Sequence, residues 1–285
     1  MTKNKPEFRK EVTELQFGVI FPNYGNYCTL SLIRSVAELA DSYFDTILSW
    51  DHVLYPHNNQ TLDVFELLSF IAGLTEKVRL GTCVTPLPLR GSLSVAKSIS
   101  SLDIISNGRA ILGIGAGWYK KEFDLFGSWK NASLRVNMVR TGLQEIRSLL
   151  TNPKISNQAF FKCVQSPYPP IWIGTKRPSM IDVAATLGDG WIPSNLETSE
   201  YYKTVQEIRS IRRSRKLSDK KFTYGYHLSG MRSTSSYIKK IDDLQNVGCK
   251  FIAVYPSGNS EKYFERLRAF VKDVIPSFKM DGTSH

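Results

Sequence analysis

The sequence predicts a (β/α)8 barrel. Three observations predict it: eight short apolar runs rich in β-branched residues, eight longer amphipathic runs alternating with them, and a length of 285 residues, ordinary for one barrel domain. The strand-like runs are LQFGVIFP (15–22), FDTILSWD (44–51), VRLGTCVTP (78–86), RAILGIGAG (109–117), PIWIGT (170–175), GWIPS (190–194), FTYGYHLS (222–229) and KFIAVYPS (250–257). Helix-like runs fall at 29–41, 61–75, 92–105, 132–150, 178–187, 198–214, 234–246 and 260–274. Strict alternation calls for a parallel sheet covered by helices, and eight pairs close a ring where a doubly wound sheet would stop sooner.

Taken in order, the elements carry their own start and stop signals. Thr29 caps the helix LSLIRSVAELA, Pro178 opens the helix after the fifth strand, and Gly248 stops YIKKIDDLQNV. The barrel is expected over 15–275, with a polar extension at 1–14 and a short tail at 276–285.

Composition excludes several classes. A hydrophobic fraction of 42% with 15 Phe, 13 Tyr and 5 Trp is not that of a disordered chain. No apolar run is long enough to span a membrane, and MTKNKPEFRKEVTEL is polar where a signal peptide is apolar. Cys28, Cys83, Cys163 and Cys249 lie far apart, which suits a reducing cytoplasm. The 4 His form no H-E-x-x-H pattern, so no metal site is expected. Much of the net charge of +11 sits in EIRSIRRSRKLSDKK (207–221); with no aromatic residue interleaved, it reads as a solvated helix end rather than a nucleic-acid surface.

In such a barrel, function sits where strands end. Asp51 and His52 end the second strand, and Asn23 ends the first. Thr85 and Arg90 follow the third, Gly115, Ala116, Gly117 and Trp118 the fourth, Gly174, Thr175, Lys176 and Arg177 the fifth, while His227 lies on the seventh. GIGAGW (113–118) lacks the G-x-G-x-x-G spacing, so its glycines are expected to let a flat ligand or a phosphate approach the backbone. GTKRP (174–178) reads either as an anion site at a helix start or as an ordinary basic loop.

SWDHVL, EKVRLGTCVTPLPLR, AKSISSLDIISNGRAILGIGAGWYKKEFDLFG, PPIWIGT and LGDGWIPS together resemble, in order and spacing, the luciferase-like flavin and deazaflavin oxidoreductases. The resemblance spans about residues 15 to 195 and implies a luciferase-like TIM barrel, usually a homodimer, with the cofactor ring in the C-terminal mouth. GAGWYKKEF is most similar to the deazaflavin branch, which implies coenzyme F420, with FMN and a partner reductase as the alternative, and a small-molecule substrate. A non-catalytic flavin-binding protein is a third reading. The resemblance assigns Asp51 and His52 to proton handling; an imidazole exchanges protons near neutrality. It places a non-prolyl cis peptide at Cys83–Val84 behind the ring, and sets Thr85, Arg90, Gly115, Ala116, Gly117, Gly174, Thr175, Lys176 and Arg177 along the cofactor. Trp118 stands where sugar-phosphate dehydrogenases of the family carry a glutamate, so that activity is not expected. LRG (89–91) departs from the commoner R-H-P. The long 118–169 connection, containing TNPKISNQAFFKCVQSPYPP, is the expected lid.

Overall fold

The computed structural model describes residues 14–54, 60–151 and 161–279. Its strands are β1 (Gln16–Phe21), β2 (Thr46–Ser49), β3 (Arg79–Thr82), β4 (Thr85–Pro86), β5 (Ala110–Gly115), β6 (Ile171–Ile173), β7 (Gly190–Trp191), β8 (Thr223–Ser229) and β9 (Phe251–Tyr255). All pair in parallel; β1 joins β2 to β9, and β3 pairs with both β2 and β5, which closes the ring. β3 and β4 are two halves of one expected strand. The Cys83–Val84 peptide between them is cis, as the resemblance implied, and the ladder to β5 resumes at Thr85. Counted so, the barrel has the eight strands the sequence predicts.

The covering helices are α1 (Leu30–Tyr43), α2 (Val64–Ala72), α3 (Leu87–Arg90), α4 (Ser92–Ile105), α5 (Lys120–Asp124), α6 (Ala132–Thr151), α7 (Pro178–Leu187), α8 (Thr198–Ser214), α9 (Thr234–Asn246) and α10 (Ser260–Asp273). The short α3 and α5, unpredicted by periodicity, sit in loops at the C-terminal end of the sheet. Caps fix the entries: the Thr29 hydroxyl accepts from Leu32 N, Asp63 Oδ1 accepts from Phe65 N at 2.9 Å, and Ser233 and Ser236 form a reciprocal capping box.

Two apolar cores follow from the two faces of each strand. The larger lies between sheet and helices; Phe17, Val19 and Phe21 of β1 point into it. The smaller fills the barrel interior with Ile20, Leu48, Ile111, Trp172, Ile192, Phe251 and Ala253. Phe251 of β9 lies in this interior core, flanked by β1 and β8. A Cβ at Gly18 would lie 2.5 Å from its ring and one at Gly225 3.2 Å, so both facing positions need glycine; the Trp172 ring packs beside it at 4.9 Å between centroids.

Three expectations are corrected. The chain does not leave the barrel at residue 275, because Phe278 packs its ring 6.0 Å from that of Phe17. The expected lid is misplaced: α6, about 30 Å long at 1.5 Å per residue, carries the chain back to the N-terminal end, where Gln165 donates to Ala110 O at the start of β5. Residues 152–160 of that segment lie outside the described residues, as do residues 1–13 of the expected extension and 280–285 of the tail. Finally, ligand approach alone does not account for the GIGAG glycines. A Cβ at Gly113 would meet Thr82 O at 1.9 Å, and Cβ atoms at Gly115 and Gly174 would meet the Val84 side chain at 2.5 and 2.6 Å. These glycines accommodate the strand-three bulge.

Candidate active site

The C-terminal mouth holds a cavity of ≈520 Å³, within the range of small-molecule sites. Its wall includes Trp50, Asp51 and His52 from the end of β2, Cys83, Val84 and Pro86 from the bulge, Gly115, Ala116, Gly117, Trp118 and Glu122 beyond β5, and Gly174, Thr175, Lys176 and Arg177 beyond β6. Met180, Ile192, Ser194 and His227 complete it. Twelve of the fifteen expected site residues therefore converge.

The other three stand outside the lining. Asn23 is buried and turned away, its Nδ2 donating to Leu62 O at 2.7 Å. Thr85 is fully buried under Asp51. Arg90 forks between two carboxylates: Nη2 lies 2.5 Å from Asp51 Oδ1 and Nη1 2.7 Å from Asp63 Oδ2. Since Asp63 also caps α2, Arg90 ties the end of β2 to that helix.

This geometry corrects the expected pairing of Asp51 with His52. Asp51, 3% exposed, is committed to Arg90. Burial pushes its carboxyl up, and the Arg90 guanidinium and the Thr85 hydroxyl work against that rise. For Arg90, burial lowers its affinity for the proton, and the two carboxylates outweigh burial, leaving the group above its ordinary range.

The partner of His52 is Glu122, a residue that motif reading left without a role. His52 Nδ1 lies 3.1 Å from both carboxylate oxygens, and Glu122 Oε1 also accepts from the backbone N–H of Val53 at 2.6 Å and Leu54 at 3.0 Å. A carboxylate accepting two N–H groups makes Nδ1 the donor, which leaves Nε2 of His52 as the acceptor nitrogen. The Trp118 indole meets the imidazole edge-on at 5.9 Å. The available signal was Glu122 followed by Phe123 in GWYKKEF: an acid beside an apolar residue in a short helix, both buried here.

Three further features set the chemistry of the wall. Burial pushes the Cys83 thiol up to about 12, which removes it as a nucleophile. Burial lowers His227 to about 4; its Nε2 has no hydrogen-bond partner among the described residues. Beyond β6, Thr175 Oγ1 accepts from Arg177 N at 3.0 Å, setting Lys176 and Arg177 at the start of α7. Arg135 lies behind them, lowered first by burial and then by the charge of Arg177, and donates to Ala116 O at 3.2 Å. An anion here would relieve that repulsion and meet the positive end of α7.

The chain is similar to known proteins in sequence and in fold. Residues 19–233 match the family model described as luciferase-like monooxygenase. A 5,10-methylenetetrahydromethanopterin reductase of Methanolobus tindarius is 30% identical over 185 residues, 62% of this chain and 54% of that protein. Its namesake from Archaeoglobus fulgidus is 34% identical over 185 residues, 62% of this chain and 52% of the relative. The chain thus spans about half the length of these curated relatives. Among solved structures, an F420-dependent secondary alcohol dehydrogenase in complex with an F420–acetone adduct superposes with a TM-score of 0.79 at 16% identity, covering 94% of this chain and 100% of the other. The FMN-bound oxygenating constituent of 3,6-diketocamphane monooxygenase from Pseudomonas putida gives 0.74 at 15%, with the same coverage. At these identities the two structures speak for the fold. With three quarters of its length inside the family model, the chain belongs to the luciferase-like monooxygenase family.

Proposed function

We propose that this chain is an oxidoreductase that holds the deazaflavin coenzyme F420 in the C-terminal cavity and moves a hydride between it and a small organic substrate. The observation that carries the reading is the His52–Glu122 pair, an imidazole with a fixed tautomer on the wall of a cavity sized for a flat heterocycle. The resemblance of GAGWYKKEF to the deazaflavin branch favours F420 over FMN, and the similarity to reductases favours reduction over oxygen chemistry.

The residues present fit such a group. Trp50, Val84, Pro86 and Ile192 supply apolar wall, Lys176 and Arg177 supply charge for an anionic tail, and His227 Nε2 is a buried polar atom in want of a partner. When bound, the coenzyme supplies the hydride chemistry. His52 Nε2 takes or returns the accompanying proton, and Glu122 holds its ring and stabilises the imidazolium when Nε2 is protonated. Asp51, neutralised by Arg90, positions the loop that carries His52. Trp118, 64% exposed, leaves one side of the cavity apolar and open to a substrate.

The test is equilibrium binding of F420 and FMN, side by side, to ligand-free protein, followed by fluorescence. Preference for F420, with turnover lost and binding kept in His52→Ala, supports the reading. Preference for FMN moves it to oxygen chemistry with a partner reductase; binding of neither overturns the cofactor assignment.

A further inference from the structure

The basic segment 207–221 has no part in the C-terminal cavity. α8 carries it to the opposite end of the barrel, where Arg212, Lys220 and Lys221 border a second cavity of ≈690 Å³. Gln16, Arg79 and Thr223, the first residues of β1, β3 and β8, form its floor, and Arg147 of α6 its side. Five cations line this cavity against one carboxylate, Asp189, whose Oδ2 accepts from Ile171 N at 2.9 Å.

Among the described residues, none of these cations forms an ion pair, although Asp189 and Asp103 lie near enough to act on Arg212 and Arg79. Arg79 is in register with Gly81, whose Cβ position faces Leu48 and Ile111 of the interior core, so strand alternation points Arg79 into the barrel. Among the described residues its guanidinium has no hydrogen bond and no ion pair; the acid acting on it, Asp103, is occupied by Val164 N, Gln165 N and Gln165 Nε2. Arg147 donates through Nη2 to Leu187 O at 2.5 Å and lies over the Tyr168 ring, and among the described residues its buried Nε has no hydrogen-bond partner. Arg212, 5% exposed, lies over the Phe222 ring, and its hydrogen bonds among the described residues go to the carbonyl oxygens of Ala185, Leu217 and Lys220. Three guanidinium groups thus border one cavity that holds a single carboxylate, and an anion with several acceptor oxygens would complement them. The Trp172 and Tyr168 rings give the same cavity flat apolar wall.

We propose that this N-terminal cavity binds a small anion bearing more than one phosphate, with Arg79 and Arg147 gripping the phosphates and Lys220 and Lys221 at the rim. The concave shape and the floor inside the barrel suit a small molecule rather than a polymer, which would need an open groove. The site lies at the far end of the barrel from the proposed redox cavity and stands or falls separately from it.

The test is calorimetric titration of the full chain with inorganic tripolyphosphate at about 0.15 M ionic strength. A site that persists in the pair Lys176→Gln and Arg177→Gln, which removes the charge of the other mouth, is expected, and Arg79→Gln should weaken it about tenfold or more. The exposed pair Lys220→Gln and Lys221→Gln, which leaves the fold intact, is expected to weaken it about threefold or more. No binding overturns the proposal. So does affinity lost with Lys176 and Arg177 but kept without Arg79, or affinity unchanged in the Lys220 and Lys221 pair. Stronger binding of a DNA oligonucleotide at many sites, collapsing steeply with salt, overturns it in favour of a nucleic-acid surface.

Discussion

Replacing Glu122 by Gln changes one atom and, by the geometry of the site, should reverse a tautomer. The amide oxygen can keep the place of Oε1, accepting from Val53 N at 2.6 Å and Leu54 N at 3.0 Å. The amide nitrogen then faces His52 Nδ1, at 3.1 Å from the original Oε2, and can only donate. Nδ1 must become the acceptor, and the ring proton moves to Nε2. Three bonds to a charged acceptor, each worth about 1.5–3 kcal/mol, become neutral bonds of about 0.5–1.5 kcal/mol. Glu122 is 2% exposed, so losing its buried charge offsets part of this. The stability cost is therefore at most about 4 kcal/mol, while proton transfer through Nε2 should fall about 10²- to 10⁴-fold. Nitrogen-15 NMR of labelled imidazoles reads the tautomer without a substrate, urea unfolding reads the stability, and cofactor titration should be unchanged. An unaltered His52 spectrum, or hydride transfer at the native rate in Glu122→Gln, would refute this account of the dyad.

Other perturbations test the surrounding shell. Arg90→Met strands the buried Asp51 carboxylate and should cost about 3–5 kcal/mol in urea unfolding, with part recovered by Asp51→Asn in the same chain. Gly115→Ala drives a methyl to within 2.5 Å of Val84 and should cost about 1–3 kcal/mol, relieved by Val84→Ala. His227 binds its proton less readily folded than unfolded, with its folded pKa pushed down to about 4. Stability should therefore hold above about pH 6.5 and fall as the pH drops toward 4, by at most about 3 kcal/mol; His227→Phe should flatten that limb of an unfolding series.

The alternation of elements was legible because periods of two and 3.6 residues are local. What escaped the sequence depends on contacts between distant segments. The bulge at Cys83–Val84 was read only through resemblance, and the packing role of the glycines that face it, at 113, 115 and 174, went unread because nothing local shows the bulge against them. Glu122 lies 70 residues from His52, in a five-residue helix too short for a periodic signal, and Arg90 reaches Asp51 across 39 residues. Adjacency in the chain suggested an Asp51–His52 pair; the fold separates them, because the two side chains find partners in different loops. The N-terminal cavity draws Arg79, Arg147 and Arg212 from three elements, so the sequence displayed only the helical part of its charge.

The interior core of Ile20, Leu48, Ile111, Trp172 and Phe251 makes the barrel a stopped tube rather than a channel. A stopped tube imposes an order of traffic. Any two molecules that share the C-terminal mouth must use one door, so the deeper must arrive first and depart last. For a cofactor and a substrate stacked there, the expected steady-state pattern is ordered addition with the cofactor leading, and the exchange of spent cofactor must wait until the product has cleared the way.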